Sequence, residues 1–281
     1  MSSFASGEIP IYDSDVKQTP IISQVQGVWE KRGLLKLLVS RDLTVRYKRS
    51  VIGIWWSLLN PLFTTAVMFW VFNTVFKARM PDGTSFLPYL LSGVLVMTLF
   101  NQGLTMAADA IASGAGVLTK VYVRPEIFAF SATISSAINF MFGLVPLTLV
   151  LAISHKWPGF QFPLALVVVA CMTLFTTGLG LMLAIAYVNF DDSRSLIQIF
   201  LLALQYMTPV FYPLSVLGPH TRAVINLNPL TSYLSVFRDV FGDNYTASLN
   251  NWLMMGGSSI VMFCLGFYVF QRAWPRVVAK I

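Results

Sequence analysis

The stretch SRDLTVRYKRSVIGIWWSLLNPL, residues 40–62, joins a basic segment to an apolar one. Four cations lie within its first ten residues, and an uncharged, tryptophan-rich run follows from Trp55. The apolar run is expected to leave water, whereas the cations are expected to stay at the water-facing surface. This junction therefore predicts the point at which the chain enters a membrane. It leaves open whether the cations only orient the chain or also hold an anionic molecule.

The composition agrees with a membrane protein. Of the 281 residues, 56% are hydrophobic and 11% are charged, whereas soluble domains carry about 25% charged residues. Uncharged stretches of about 20 residues are long enough to cross a hydrocarbon core of about 30 Å as helices. We predict an all-α membrane protein with six transmembrane helices, at residues 56–76, 88–110, 128–153, 162–188, 196–212 and 252–271.

The distribution of Lys and Arg predicts the orientation of these spans. With both termini in the cytosol, 14 of the 19 Lys and Arg residues fall on the cytosolic side, as the positive-inside rule requires. Residues 1–28 lack the apolar region of a signal peptide and are expected to form a flexible cytosolic tail. Leucines cluster on one face of a helix at residues 29–39, so residues 29–55 are predicted to form an amphipathic interface region. Residues 56–281 then form the six-span domain.

The apolar segment at residues 205–240 is broken by four prolines, Pro209, Pro213, Pro219 and Pro229. A helix does not run through prolines at such spacing, because each lacks a donor and clashes with the preceding turn. Broken backbone at membrane depth is tolerated where protein or a water-filled cavity satisfies its polar groups. We predict a re-entrant pair of short helices before the last span. An ordinary extracellular loop with interfacial aromatic residues is the alternative.

The loop between the second and third spans is the longest one on the cytosolic side. Gly114 and Gly116 are expected to break the second span, and Pro125 with Glu126 is expected to open the third, since proline is tolerated in a first helical turn. Between them, the amphipathic sequence VLTKVYVR, residues 117–124, predicts a short helix that presents cations to the cytosol. It is either a docking element for a partner or a basic loop that only anchors two spans.

Several chemistries are missing from the sequence. The predicted spans hold no acidic residue near their centres, since Asp109 lies near a helix end and Asp191 and Asp192 lie in a loop, where they are expected to begin the next helix. His155 and His220 have no partner at metal-ligand spacing. No GxxxxGK[ST] loop occurs, so ATP-driven transport would need a separate ATPase chain. We predict no catalytic residue and no metal site.

Several separated motifs resemble one family. The junction at residues 40–62 resembles the opening signature of the permease subunits of ABC-type (ABC-2) polysaccharide exporters, of the form RDLxxRYxxSxLGxxWxxLxP. The sequence LTKVYVRPEIFAFS is similar to their coupling-helix element, with Arg-Pro-Glu in place of the usual order Pro-Arg-Glu. NPLTSYLSVFRDV and the ending FQRAWPRVVAKI are also similar. The resemblance covers residues 29–281.

This resemblance implies a multi-pass protein of the bacterial inner (plasma) membrane, in contact with membrane lipids. It implies a homodimer that works with two copies of a separate ATP-binding subunit. No cofactor is expected on this chain, since ATP and Mg would bind the partner, and no nucleic acid is expected. The implied substrate is a polysaccharide linked to a polyprenyl diphosphate, such as O-antigen, teichoic acid, capsule or cell-wall galactan.

Three groups of residues receive roles. A cytosolic entrance is expected to hold the diphosphate through its cations and to fix its depth through its indole rings; its residues are Arg46, Lys48, Arg49, Trp55 and Trp56. An aromatic stripe either lines a sugar channel or packs against helices and lipid; its residues are Phe69, Phe72 and Phe76. The resemblance makes the cytosolic loop the ATPase-docking coupling helix; its residues are Thr119, Lys120, Tyr122, Arg124 and Glu126.

Two other functions remain open at this stage. The chain could be an integral-membrane glycosyl or phosphoryl transferase acting on polyprenyl lipids, which would need Asp191, Asp192 and a divalent metal. It could also be an ABC exporter of a drug or small lipid with the same fold.

Overall fold

The computed structural model describes residues 27–28, 30–48, 50–75, 85–118, 123–154, 161–190, 192–241 and 247–278. In these ranges the protein contains nine α-helices of eight residues or more, two 3-10 turns and no strand, which confirms the predicted all-α class. The helices are α1 Arg32–Tyr47, α2 Trp56–Thr74, α3 Phe86–Leu118, α4 Glu126–Ile153, α5 Leu164–Asn189, α6 Ser193–Met207, α7 Pro219–Asn226, α8 Pro229–Val240 and α9 Leu249–Val278.

Within the described ranges, five helical segments are long and apolar enough to cross a membrane. They lie at Gly53–Thr74, Phe86–Gly114, Glu126–Ile153, Leu164–Asn189 and Leu249–Val277, and they correspond to the first four predicted crossings and the last one. The predicted crossing at 196–212 differs, because α6 has only 15 residues, or about 22 Å at 1.5 Å per residue. The helix stops at Thr208, which is extended at φ −94° and ψ 140°, as the residue before a proline tends to be.

Helix α3 lies at the centre of the bundle. It packs against α2, α4, α5 and α8. In the most apolar stretch of 18 residues of each helix, 72% is buried in α3 and only 17% in α2. The core on α3 includes Leu90, Leu91 and Phe100, which have almost no exposed surface. Helix α2 is therefore peripheral and leaves most of its surface to lipid or to another protein.

Helices α5 and α9 touch through glycines. A Cβ atom on Gly178 of α5 would collide with the Met262 carbonyl, and one on Gly266 of α9 would collide with the Gly178 carbonyl. Small residues allow this close approach of helices in a membrane. Earlier on the two helices, Met172 and Met255 belong to one core cluster, whereas Ala184 and Phe270, further along, belong to the other. The two helices are therefore parallel, and the segment between them returns the chain to the opposite end of the bundle.

That returning segment contains two short helices, α7 and α8, which each begin with a proline at the first helical position. Pro219 and Pro229 start helices because the first turn needs no amide donor there. Helix α8 is buried against α3, α5 and α9. Its Phe237 ring lies 5.5 Å from Phe140, and its Tyr233 ring lies 5.5 Å from Phe175, between ring centroids. Helix α8 and residues 208–211 of the broken segment thus pack inside the protein, whereas α7 is largely exposed.

The N-terminal helix α1 also packs on the bundle. Leu38 is buried, and Leu34 and Leu35 lie against the same cluster, which includes Ile111 of α3 and Phe128 of α4. The leucine face of this amphipathic helix therefore contacts protein. Residues 1–26, most of the predicted tail, lie outside the described residues.

The second span does not break at its glycines as the sequence predicted. Helix α3 continues through Gly114 and Gly116 to Leu118, because glycine lowers helix stability by about 1 kcal/mol without preventing the helix. A Cβ atom on Gly114 would lie 3.0 Å from the Phe128 ring, so the glycine allows α3 to approach α4 closely. Pro125 precedes α4, which begins at Glu126, as predicted.

Candidate functional site, a polar cleft at the start of the first span

A tight connection joins α1 to α2. Gly53 adopts φ 57°, a left-handed conformation that favours glycine, and its amide donates to Ser50 Oγ at 3.0 Å. The connection brings the end of α1 beside the start of α2, where the hydroxyls of Tyr47 and Ser57 are hydrogen-bonded to each other.

Hydrogen bonds extend from this point to two further helices. Tyr47 Oη donates to Asn139 Oδ1 of α4 at 2.6 Å. Asn139 Nδ2 donates to Gln102 Oε1 of α3 at 3.1 Å, and the same oxygen accepts from Arg46 Nη1 at 3.2 Å. Because polar groups are costly in an apolar bundle unless they are paired, this network holds α1, α2, α3 and α4 in one arrangement.

The network borders a cleft of about 240 Å³. Its lining is polar or aromatic apart from one proline and contains no carboxylate; the residues are Arg46, Tyr47, Trp56, Ser57, Asn60, Pro61, Thr98, Gln102 and Asn139. Pro61 has no amide hydrogen, so the Ser57 carbonyl lacks its usual helical donor four residues ahead. The cleft therefore combines one guanidinium with several neutral donors and acceptors, an environment suited to an anion that also carries hydroxyl groups.

Two of the five predicted entrance residues meet in this cleft, Arg46 and Trp56. Lys48 and Trp55 are exposed on the connection beside it and do not line it. Arg49 lies outside the described residues. Gln102 and Asn139 were not predicted as site residues. Each is an amide side chain within an otherwise apolar span, and this pattern could have indicated a polar site.

The predicted aromatic stripe contacts aromatic residues of its own chain. The Phe69 ring lies 6.2 Å from Phe86, and the Phe72 ring lies parallel to Phe211 at 6.0 Å, between centroids. Both side chains are partly buried on the main core. Phe76 lies outside the described residues.

Most of the predicted docking residues, Thr119, Lys120 and Tyr122, lie outside the described residues. The Arg124 guanidinium lies against Gly27, where an added Cβ would be 2.6 Å from Cζ. Glu126 is only 8% exposed, and among the described residues its Oε2 has no hydrogen-bond partner. Arg124 and Glu126 thus join the N-terminal segment, the loop and the first turn of α4.

A buried cation outside the cleft, Arg238 of α8, holds the broken segment to α3. It donates to the carbonyls of Pro209 at 2.9 Å and Tyr89 at 3.1 Å, and its guanidinium carbon lies 3.5 Å from the centroid of the Tyr89 ring. Hydrogen bonds to a charged group contribute more than neutral ones. In the predicted topology, Arg238 is one of the five Lys and Arg residues on the outer side, with no further role assigned to it.

The acidic residues do not form a metal site in the described part of the chain, where no cluster of three or more His, Cys, Asp or Glu side chains is found. Asp192 occupies the N-cap position of α6, as expected, but makes no capping hydrogen bond through its side chain. Asp191 and His155 lie outside the described residues. Asp109 instead pairs with Arg194 at 2.6 Å, a partly exposed ion pair that stabilises the fold by about 1 kcal/mol or less.

The apolar helices and the carboxylate-free cleft define a helical membrane protein without a recognisable catalytic centre in its described residues. Residues 33–241 match the family model described as ABC-2 type transporter. Since this match covers more than half of the chain, the protein belongs to the ABC-2 type transporter family.

Curated relatives cover most of the chain. It is 28% identical over 254 residues to the O-antigen export system permease protein RfbA of Myxococcus xanthus, which covers 89% of this chain and 96% of that protein. It is 20% identical over 241 residues to the polysialic acid transport protein KpsM of Escherichia coli, covering 84% and 92%. It is 27% identical over 234 residues to the inner membrane transport permease YadH of Escherichia coli K12, covering 76% and 84%.

Proposed function

We propose that this chain is the membrane subunit of an ATP-driven exporter that moves a polyprenyl-diphosphate-linked polysaccharide across the plasma membrane, from the cytosolic to the outer face. The observation that carries this proposal is the cleft at the start of α2, which holds the Arg46 guanidinium and no carboxylate. The relatives RfbA and KpsM, whose names specify O-antigen export and polysialic acid transport, support a polysaccharide as the cargo.

The proposed topology has six crossings with both termini in the cytosol. Five crossings are the long helices, and the fifth in sequence order is α6 continued by the broken segment. The parallel packing of α5 and α9 supports this, because the chain has to cross between them. Helices α7 and α8 would then form the re-entrant pair on the outer side. Arg238 of α8 donates to the carbonyls of Pro209 and Val210, which follow the end of α6.

Recruitment of the substrate is proposed to begin at the junction of α1 and α2. Arg46 faces the cleft, and Lys48 lies on the connection beside it; Arg49, the next residue in sequence, is proposed to act with them. Each cation near an anionic surface contributes about 1 kcal/mol of binding free energy. The cations would therefore bind a diphosphate weakly enough to release it again. Trp55 and Trp56, with 63% and 48% of their surface exposed, are suited to the membrane interface.

Energy is proposed to come from two copies of a separate ATPase, which would bind ATP and Mg. Two copies of this chain would form the transport path. Phe63, Val67 and Trp70 follow helical spacing on α2 and are each about 60% exposed, so this face is available to a second copy or to lipid.

The loop at 119–126 would receive the ATPase, and the close contact of Gly114 with Phe128 would transmit its movement to α3 and α4.

Two measurements test this proposal. Gentle purification of the chain should recover an ATPase that carries a phosphate-binding loop, and depletion of the chain should cause lipid-linked polysaccharide to accumulate on the cytosolic face. Purification without any ATPase would contradict the transport mechanism. Normal polymer on the outer face after depletion would favour a drug or small lipid as cargo, a possibility that YadH supports because its name specifies no polysaccharide.

A further inference from the structure

The cleft contains far more neutral hydrogen-bonding groups than cations. Arg46 is its single charged side chain, whereas hydroxyl or amide groups come from Tyr47, Ser57, Asn60, Thr98, Gln102 and Asn139. A diphosphate alone would be bound best by cations, and it makes little use of so many neutral groups. The lining is therefore matched to a molecule in which hydroxyl groups lie next to the phosphate.

Two amide groups keep hydrogen-bonding capacity for such a molecule. Gln102 uses only its Oε1 in the contacts with Arg46 and Asn139, so its amide N–H groups remain for a ligand. Asn60 is exposed and accepts one long hydrogen bond from Thr64 at 3.5 Å through Oδ1, which also leaves its N–H groups. Amide groups both donate and accept, as recognition of sugar hydroxyls requires.

The position of the cleft suits the headgroup of an amphiphile. Asn139 lies 14 residues before the end of α4 at Ile153, or about 21 Å along the helix. It also lies 13 residues after Glu126, so the cleft reaches from the start of α2 to the middle of α4. Trp56 borders the cleft with a half-exposed indole ring, which can cover the apolar face of a sugar.

We propose that this cleft binds the phosphate-linked sugar of the transported lipid, so that the permease itself reads the sugar next to the diphosphate. Arg46 contacts the phosphate, while Gln102 and Asn60 contact sugar hydroxyls. This inference rests on the proposed function and adds to it a site for the first sugar of the glycan.

Binding of short-chain probes to the purified transporter complex tests the inference. The probes are farnesyl diphosphate and farnesyl diphosphate carrying glucose, galactose or N-acetylglucosamine. We expect at least one glycosylated probe to bind about tenfold more tightly than farnesyl diphosphate, the factor that a few added hydrogen bonds supply. Asn60→Leu should reduce this preference while changing the affinity for farnesyl diphosphate by less than about twofold. Asn60 is exposed and has only the long contact from Thr64, so this variant is expected to fold.

Three controls separate the possible explanations. Thr173→Val on α5, where the hydroxyl bonds to the Val169 carbonyl of its own helix, should leave the preference intact. If no glycosylated probe binds more tightly than farnesyl diphosphate, but Arg46→Ala weakens both, the sugar site is wrong and the proposed recruitment stands. If no probe binds and Arg46→Ala has no effect, both are contradicted. If phosphatidylglycerol competes as strongly as the glycosylated probe, the cleft is a general phospholipid site and the inference is overturned.

Discussion

Arg46 Nη1 donates to Gln102 Oε1 at 3.2 Å, across 56 residues of sequence. This bond ties the end of the N-terminal helix to the middle of the central helix α3, beside the place where α2 begins. A movement of α3 would therefore change the position of the one guanidinium in the cleft. In an ATP-driven cycle, such a link would allow the loop after α3 to alter the affinity of the cleft for its anion.

Tyr47→Phe tests whether the network holds α1 to the bundle. The variant removes the hydrogen bonds to Asn139 and Ser57, and we expect a loss of about 1–2 kcal/mol in unfolding free energy. Thermal unfolding in detergent measures this as a lower Tm. Tyr268→Phe on α9 is the matched control, because that hydroxyl is exposed and accepts only a 3.5 Å contact from Arg272. Equal Tm values for the two variants would contradict a stabilising network.

Gly178→Ala tests the contact of α5 with α9. An added Cβ would collide with the Met262 carbonyl, and because both partners are helical backbone, the helices have to separate. We expect a loss of about 2 kcal/mol or more, within the range for overpacking. Gly257→Ala, at a helical position with no atom within 4 Å of the added Cβ, should instead raise stability by up to about 1 kcal/mol. Thermal unfolding of the two variants should therefore shift in opposite directions.

Arg238→Met tests whether the buried cation closes the broken segment. The variant removes the charged donor of the Pro209 and Tyr89 carbonyls, and a hydrogen bond to a charged group contributes about 1.5–3 kcal/mol. We expect a cysteine placed at Val210, which is fully buried, to react with a water-soluble maleimide only when Arg238 is replaced. Arg222→Met is the control, since Arg222 is exposed and donates to the Leu214 carbonyl. Labelling that is equal in the Arg222 and Arg238 variants would rule out a specific closing role.

Lys120→Glu with Arg124→Glu tests the proposed docking loop. Reversal of both charges should weaken binding of the ATPase, because the loop then repels a surface that accepts cations. Co-purification of the ATPase and ATP-dependent transport should both fall, while membrane insertion of the chain remains normal. Arg272→Glu, near the end of α9, provides a charge reversal on the same predicted side of the membrane. A fully coupled complex in the double variant would exclude the assignment.

Five of the six predicted crossings correspond to long apolar helices because hydropathy over 20 residues is a local property. The crossing predicted at 196–212 corresponds instead to the shorter helix α6, because Thr208 precedes Pro209 and this local restriction ends the helix although apolar residues continue beyond it. The predicted break at Gly114 and Gly116 was wrong because a helix tolerates glycine, and at Gly114 the packing against Phe128 favours a small residue.

The site was predictable only in part. Arg46 and Trp56 stood out because they lie within one short stretch, residues 40–62, where a basic segment gives way to an apolar one. The pairing of Tyr47, Asn139 and Gln102 depends on how three distant helices meet, which no local pattern encodes. Arg238 was missed for the same reason, because its carbonyl partners are presented by a break in the chain and by the start of α3.

The central claim is that the cation in the cleft recruits a lipid-linked polysaccharide for export. The most direct measurement is the amount of this polymer on each face of the membrane in cells that carry Arg46→Ala, compared with Arg32→Ala, an exposed arginine on the same helix. At equal protein levels, we expect Arg46→Ala to lower the polymer on the outer face and to increase the lipid-linked form on the cytosolic face, with no change for Arg32→Ala. Normal polymer on the outer face in the Arg46 variant would contradict the account.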